Sequence, residues 1–101
     1  MKTYRIVWRS RAEAQLLALY DWIADQADPQ TAFAYTSAIE AHTAKLTTFP
    51  ERGTPRDDIA SGVRTVPYRR RTIIAYRVLE SEVEVLSLVH GGQTFASMFD
   101  D

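Results

Sequence analysis

Five arginines fall within one short stretch, VRTVPYRRRTIIAYR: Arg64, Arg69, Arg70, Arg71 and Arg77. That stretch holds no acid, yet the chain as a whole is close to neutral. It carries twelve Lys and Arg against thirteen Asp and Glu, for a formal net charge of −1. A guanidinium is a planar, permanently charged fork of donors that matches carboxylate or phosphate in pairs. The chemistry this cluster offers is therefore recognition of an acidic, amphipathic or phosphate-bearing partner, set against a plain solvated face whose arginine stems cover apolar surface. His90 is the other group with chemical reach, because imidazole titrates near neutrality. It ends an apolar run and precedes Gly91 and Gly92, where a structural and a functional role are both open. His42 falls on an apolar stripe and reads as a partly buried structural residue.

Little else in the chain suggests catalysis. There is no glycine-rich phosphate loop, no His-x-x-x-His pair and no Gly-x-Ser-x-Gly elbow. The absence of cysteine excludes a thiol nucleophile, a disulfide framework and a Cys-ligated metal. No catalytic residue, metal or cofactor is expected. The site expected is a binding site made of Arg64, Arg69, Arg70, Arg71, Arg77 and His90.

These residues need a scaffold, and the periodicity supplies one. TYRIVWR alternates as a strand with Tyr4, Ile6 and Trp8 on its inner face. A helix follows, with Ser10 and Glu13 spaced as a capping box and Ala12, Leu16, Leu19 or Tyr20, Ile23 and Ala27 on one stripe. Asp28 and Pro29 suit the start of a second helix. That helix has Ala32, Tyr35, Ile39, His42, Leu46 and Phe49 on its stripe, and Pro50 stops it. The stretch ERGTPRDDIASG has the composition of turns. Three strands follow in VRTVPY, RTIIAYRVL and EVEVLSLVH, the last two joined as a hairpin and the last covered on both faces. On the middle strand Ile74, Tyr76 and Val78 face the core. Arg71, Ile73, Ala75 and Arg77 then face away from the helices, where Arg64 can join them. Phe95, Met98 and Phe99 could dock as a helical turn.

The order strand, helix, helix, strand, strand, strand implies an α+β fold of two layers. A helical hairpin packs on a mainly antiparallel four-stranded sheet, in a single domain over residues 1–101. A chain of this length can bury about two thirds of its unfolded surface. No apolar run approaches the roughly 20 residues of a membrane span, and the charged opening does not suit a signal peptide, so a cytoplasmic location is expected.

With those elements in place, the sequence resembles the RelE/ParE superfamily of type II toxins, and most of all its ParE branch. The resemblance runs from Tyr4 to about Gln93. It rests on YRIVWRSRAEAQLLALYDWIA at the opening, on Leu46, Pro50 and Gly53, on the Val63–Arg64 pair, on Ile74-x-Tyr76, and on EVEVLSLVHGGQ at the end. Gln15 stands where an acid is common, and Gly91–Gly92 where a basic residue is common. The resemblance implies a toxin that inhibits DNA gyrase by binding and is silenced by a cognate ParD-like antitoxin. It implies no direct sequence-specific contact with nucleic acid. The alternative, from the RelE branch, is an mRNA endonuclease acting on the ribosome. Arg64 aligns with a phosphate-binding arginine of those nucleases, whereas the slightly acidic composition and a tail without Lys or Arg speak against cleavage.

Overall fold

The computed structural model describes residues 2–91. Strand β1 (Arg5–Trp8) leads straight into helix α1 (Ser10–Gln26). The Arg9 N–H donates to the Val85 carbonyl at 3.0 Å, so sheet pairing holds Arg9 extended and the helix begins at the next residue. Arg9 is thus the N-cap, no side chain caps this end, and the expected capping box does not form. Ala27, expected on the buried stripe, is exposed just past the helix end.

Helix α2 (Pro29–Ala44) starts as its sequence implies. Asp28 Oδ1 accepts the Thr31 N–H at 2.6 Å and Pro29 occupies the first turn. The helix does not run on to Pro50. It ends at Ala44 and gives way to two 3₁₀ turns, Lys45–Thr47 and Pro50–Arg52. Leu46 still reaches the core, at 1% exposure, but the tighter winding leaves Phe49 57% exposed.

The sheet has five strands, not four: β1, β2 (Thr54–Pro55), β3 (Val63–Tyr68), β4 (Thr72–Val78) and β5 (Glu82–His90), in the order β1-β5-β4-β3-β2. The extra strand is a two-residue edge within the segment read as turns. Its proline has no N–H to give and tolerates only an edge. β1 runs parallel to β5 and the other pairings are antiparallel. The α+β class and the two-layer arrangement are as expected.

The core lies between the hairpin and one sheet face, with Ala12, Leu19, Ile39, Leu46, Val66, Ile74, Tyr76, Val83, Val85 and Leu88 buried. A smaller cluster of Val63, Ala75 and Val89 covers the opposite face, so β5 is buried on both sides. Phe95, Met98 and Phe99 lie outside the described residues.

Tyr76 ties the 3₁₀ segment to the sheet. Its hydroxyl donates to the Pro50 carbonyl at 2.6 Å and accepts the Gly53 N–H at 2.9 Å. A Cβ on Gly53 would stand 2.4 Å from that hydroxyl, which is why glycine is needed there. Tyr76→Phe strands two buried backbone groups and is expected to cost about 1–3 kcal/mol in urea unfolding.

The sheet face away from the helices carries an ion ladder. Glu82 pairs with Arg5 and lies 4.0 Å from Arg9. Glu84 receives Arg9 Nε at 2.7 Å and Arg77 Nη2 at 3.0 Å. Burial pushes the Glu84 carboxyl up, but the hydrogen bonds from Arg9 and Arg77 outweigh it and hold the pKa below its ordinary value. A lowered folded pKa contributes stability above the unfolded pKa of about 4.5 and loses it as pH falls through the folded value. The stability gap between the parent chain and Glu84→Gln is therefore expected to shrink in urea titrations carried from neutral pH to below about 4.

Candidate binding site

The five arginines do not share one face. Residues opposite each other in an antiparallel pair point the same way. Arg64 is opposite Tyr76 and so lies on the helix side, while Arg77 is opposite Val63 and Glu84 on the other side. Arg71, expected on the strand beside Arg77, lies in the turn before β4. The reason is the length of that turn. Tyr68 pairs with Thr72, which leaves Arg69, Arg70 and Arg71 as a three-residue loop.

Each arginine is engaged differently. Arg64 Nη1 donates to the carbonyls of Glu51 at 3.0 Å and Gly53 at 2.8 Å, so it braces the same segment that Tyr76 holds. Arg77 is committed to Glu84. Arg69 takes a left-handed backbone, φ 57°, which costs a non-glycine residue about 1–2 kcal/mol. Its guanidinium lies 5.5 Å from the Tyr68 ring centroid and Nε donates to the Tyr68 hydroxyl. Arg70 and Arg71 are exposed. Among the described residues no carboxylate forms a salt bridge with Arg69, Arg70 or Arg71. Of these five arginines, the three not committed to the sheet are therefore those of the β3–β4 turn.

His90 belongs to that end of the sheet. It pairs with Thr72 across β4 and β5, about 13 Å along β4 from the Arg64 level. The Thr72 hydroxyl is 2.8 Å from His90 Nδ1 and 2.9 Å from the Tyr35 hydroxyl, forming a chain from α2 to the end of β5. Aromatic rings surround it. Trp22 lies 5.8 Å and Tyr35 6.0 Å from the imidazole, Tyr68 packs edge-on to Tyr35, and His42 stacks obliquely on Tyr68. Burial, with the Arg71 charge added, pushes the His90 pKa below its ordinary value and keeps the ring neutral at pH 7. His42 donates its Nε2–H to the Pro67 carbonyl at 2.9 Å, in keeping with a structural role.

Trp22, Tyr35, Tyr68 and Thr72 complete this site and were not singled out for it in the sequence. Tyr35 and Tyr68 do sit at core-periodic positions, but only the fold brings them to His90. Two concavities flank the hairpin. One, of about 420 Å³, lies at this site between α1 and the end of β5, lined by Gln15, Leu19, Trp22, Arg71, Leu88 and His90 among others. The larger, of about 570 Å³, is elsewhere. Trp8, Leu16, Leu17 and Tyr20 form its apolar part, with Glu13 and Glu40 beside them. Leu17 is 62% exposed there, and the size and apolar lining suit an inserted side chain rather than chemistry.

No group of three or more His, Cys, Asp or Glu side chains is placed to hold a metal among the described residues. No described helix is long and apolar enough to cross a membrane.

The fold is shared with solved toxin–antitoxin structures. A chain from the chromosomal ParDE system of P. aeruginosa superposes with a TM-score of 0.77 at 24% identity, covering 88% of this chain and 97% of that one. A chain from the RelBE complex of Mycobacterium tuberculosis superposes at 0.59 and 20% identity, covering 87% and 98%. No match is found among curated protein sequences. The family model for the ParE toxin of the type II toxin–antitoxin system parDE matches residues 6–95. Covering both helices and, apart from Arg5, all five described strands, that match makes this chain a member of the ParE toxin family of type II toxin–antitoxin systems.

Proposed function

We propose that this ParE-family toxin inhibits DNA gyrase by binding it, acts in the cytoplasm, and is neutralised by a cognate ParD-like antitoxin. The observation that carries binding over cleavage is the state of Arg64. The resemblance to the nucleases gave this arginine to a phosphate, but Nη1 of its guanidinium is committed to the Glu51 and Gly53 carbonyls, which holds the side chain against the 3₁₀ segment. Ribonucleolysis also needs an acid or base beside the 2′-hydroxyl and cations at the developing charge. His90, beside Arg71, is packed among rings with Nδ1 occupied, and His42, which shares Tyr68 with Arg69, is tied to the Pro67 carbonyl. Recognition makes no such demand. Arg69, Arg70 and Arg71 present a cationic turn with His90 behind it, while Arg64 and Arg77 support the sheet that carries them.

The antitoxin expected here combines acidic residues for that turn with large apolar anchors for the groove beside Leu17. Losing one buried partner of such an ion pair should weaken the complex by about 2–5 kcal/mol. Co-expression with the adjacent open reading frame tests the pairing. A chain that is harmless alone and retains no small neighbour-encoded protein would refute it. Expression without the antitoxin tests the target. Filamentation with an induced DNA-damage response is expected, and immediate translation arrest would refute the gyrase reading.

A further inference from the structure

The cleft between α1 and the end of β5 has a chemical bias that neither the family nor the gyrase reading explains. Strand β5, which forms one wall, is irregular. Pairing slips between Ala75 and Tyr76, so that Ser87 and Val85 are their partners and Leu86 is left over as a bulge. β1 ends at Trp8, opposite Val85, and the rest of β5 has no strand on that side. Gln15 on α1 fills the vacancy. Its Oε1 accepts both the Leu88 N–H at 2.8 Å and the Ser87 hydroxyl at 3.0 Å. With the amide oxygen used in this way, Gln15 has only its NH₂ left to offer the cleft.

Among the described residues, three polar side chains around this cleft can then present a donor. Arg71 brings a guanidinium, Gln15 an amide NH₂ and Trp22 an indole N–H. Among the described residues no carboxylate lines the cleft, Leu19 and Leu88 give it an apolar wall, and Trp22 stands 53% exposed at its rim. A volume of about 420 Å³ is that of a small-molecule site. Donors without acceptors call for an anion rich in oxygens, and a half-exposed indole calls for a flat ring to stack on.

We infer that this cleft binds the phosphate and base of a nucleotide, with Arg71 and Gln15 on the phosphate and Trp22 against the base. Several donors converging from α1 and the β3–β4 turn suit the three terminal oxygens of a phosphate better than the two of a carboxylate. The site binds and makes no bond. Its ligand chemistry could come from a free nucleotide or from the phosphorylated end of a nucleic-acid strand. The inference does not depend on gyrase being the target.

The test is titration of the purified full-length chain with the four nucleoside 5′-monophosphates, followed by tryptophan fluorescence and calorimetry. The parallel probes are a 5′-phosphorylated tetranucleotide, the unphosphorylated nucleosides, and an acidic peptide ending in phenylalanine. Saturable binding of a monophosphate is expected, with the matching nucleoside at least about tenfold weaker. Arg71→Ala and Trp22→Ala should each weaken it about tenfold or more. Both side chains are exposed, so circular dichroism should report an unchanged fold. Tighter binding of the tetranucleotide than of the monophosphates assigns the cleft to a strand end, and the reverse order assigns it to a free nucleotide. Absence of saturation up to millimolar ligand, affinity unchanged in Arg71→Ala, or preference for the peptide would overturn the inference. Absence of nucleotide binding by the parent chain, with its gyrase inhibition intact, would sink this site alone.

Discussion

A chain carrying His90→Ala is expected to remain toxic, whereas one with Arg69, Arg70 and Arg71 all changed to alanine is expected to lose most of its toxicity. The contrast follows from what each group can contribute. In a nuclease, a general acid or base is worth about 10²–10⁴-fold in rate, so removing His90 from that role would all but silence the enzyme. In a binding inhibitor, His90 supports the site from behind through Thr72 and Tyr35, and its loss trims one edge of a larger surface. The three arginines form the exposed turn itself, without carboxylate partners among the described residues. Removing them deletes charge-assisted hydrogen bonds and should weaken target binding by about 2–5 kcal/mol. The readout is colony survival after induction, with variant amounts matched by immunoblot. A non-toxic His90→Ala chain at normal abundance would move the protein to the nuclease class.

Leu46→Ala should destabilise the fold by about 2–5 kcal/mol. Leu46 is 1% exposed and shares the core with Ile39, Val66 and Tyr76. It sits in a 3₁₀ turn braced from the sheet by Tyr76 and Arg64 at the following segment. That bracing limits how far the backbone can collapse into the space left behind, so the upper part of the range applies. Urea unfolding measures it, and an unchanged midpoint would mean that the 3₁₀ segment does not carry the hairpin onto the sheet. Phe49→Ala, three residues on, should cost far less because its ring is mostly in solvent.

Much of this architecture could be read from period alone. Strands β3, β4 and β5 and both helices follow from alternation and from apolar spacing of three and four. The inward side of β4 was correctly given by Ile74, Tyr76 and Val78. What escaped was set by partners distant in sequence. The capping box gave way because Val85 holds Arg9 in the sheet. The edge strand β2 has two residues, too few to show a period. The arginine face failed for a similar reason. Whether Arg71 lies on the strand or in the turn depends on register with Tyr68 and His90, which sequence spacing does not specify. Composition gave the charge cluster correctly but not its division into structural arginines, Arg64 and Arg77, and open ones. That division depends on the Glu51 and Gly53 carbonyls and on Glu84. The aromatic surround of His90 comes from α1, α2 and β3, and only tertiary packing assembles it.

Gyrase supercoiling in the presence of the purified chain is the most direct measurement. Loss of supercoiling with accumulation of gyrase-bound DNA breaks is expected, relieved by the antitoxin, abolished by the triple arginine change and largely retained by His90→Ala. Undisturbed gyrase, together with messenger RNA cut inside ribosomes by the same preparation, would contradict the account.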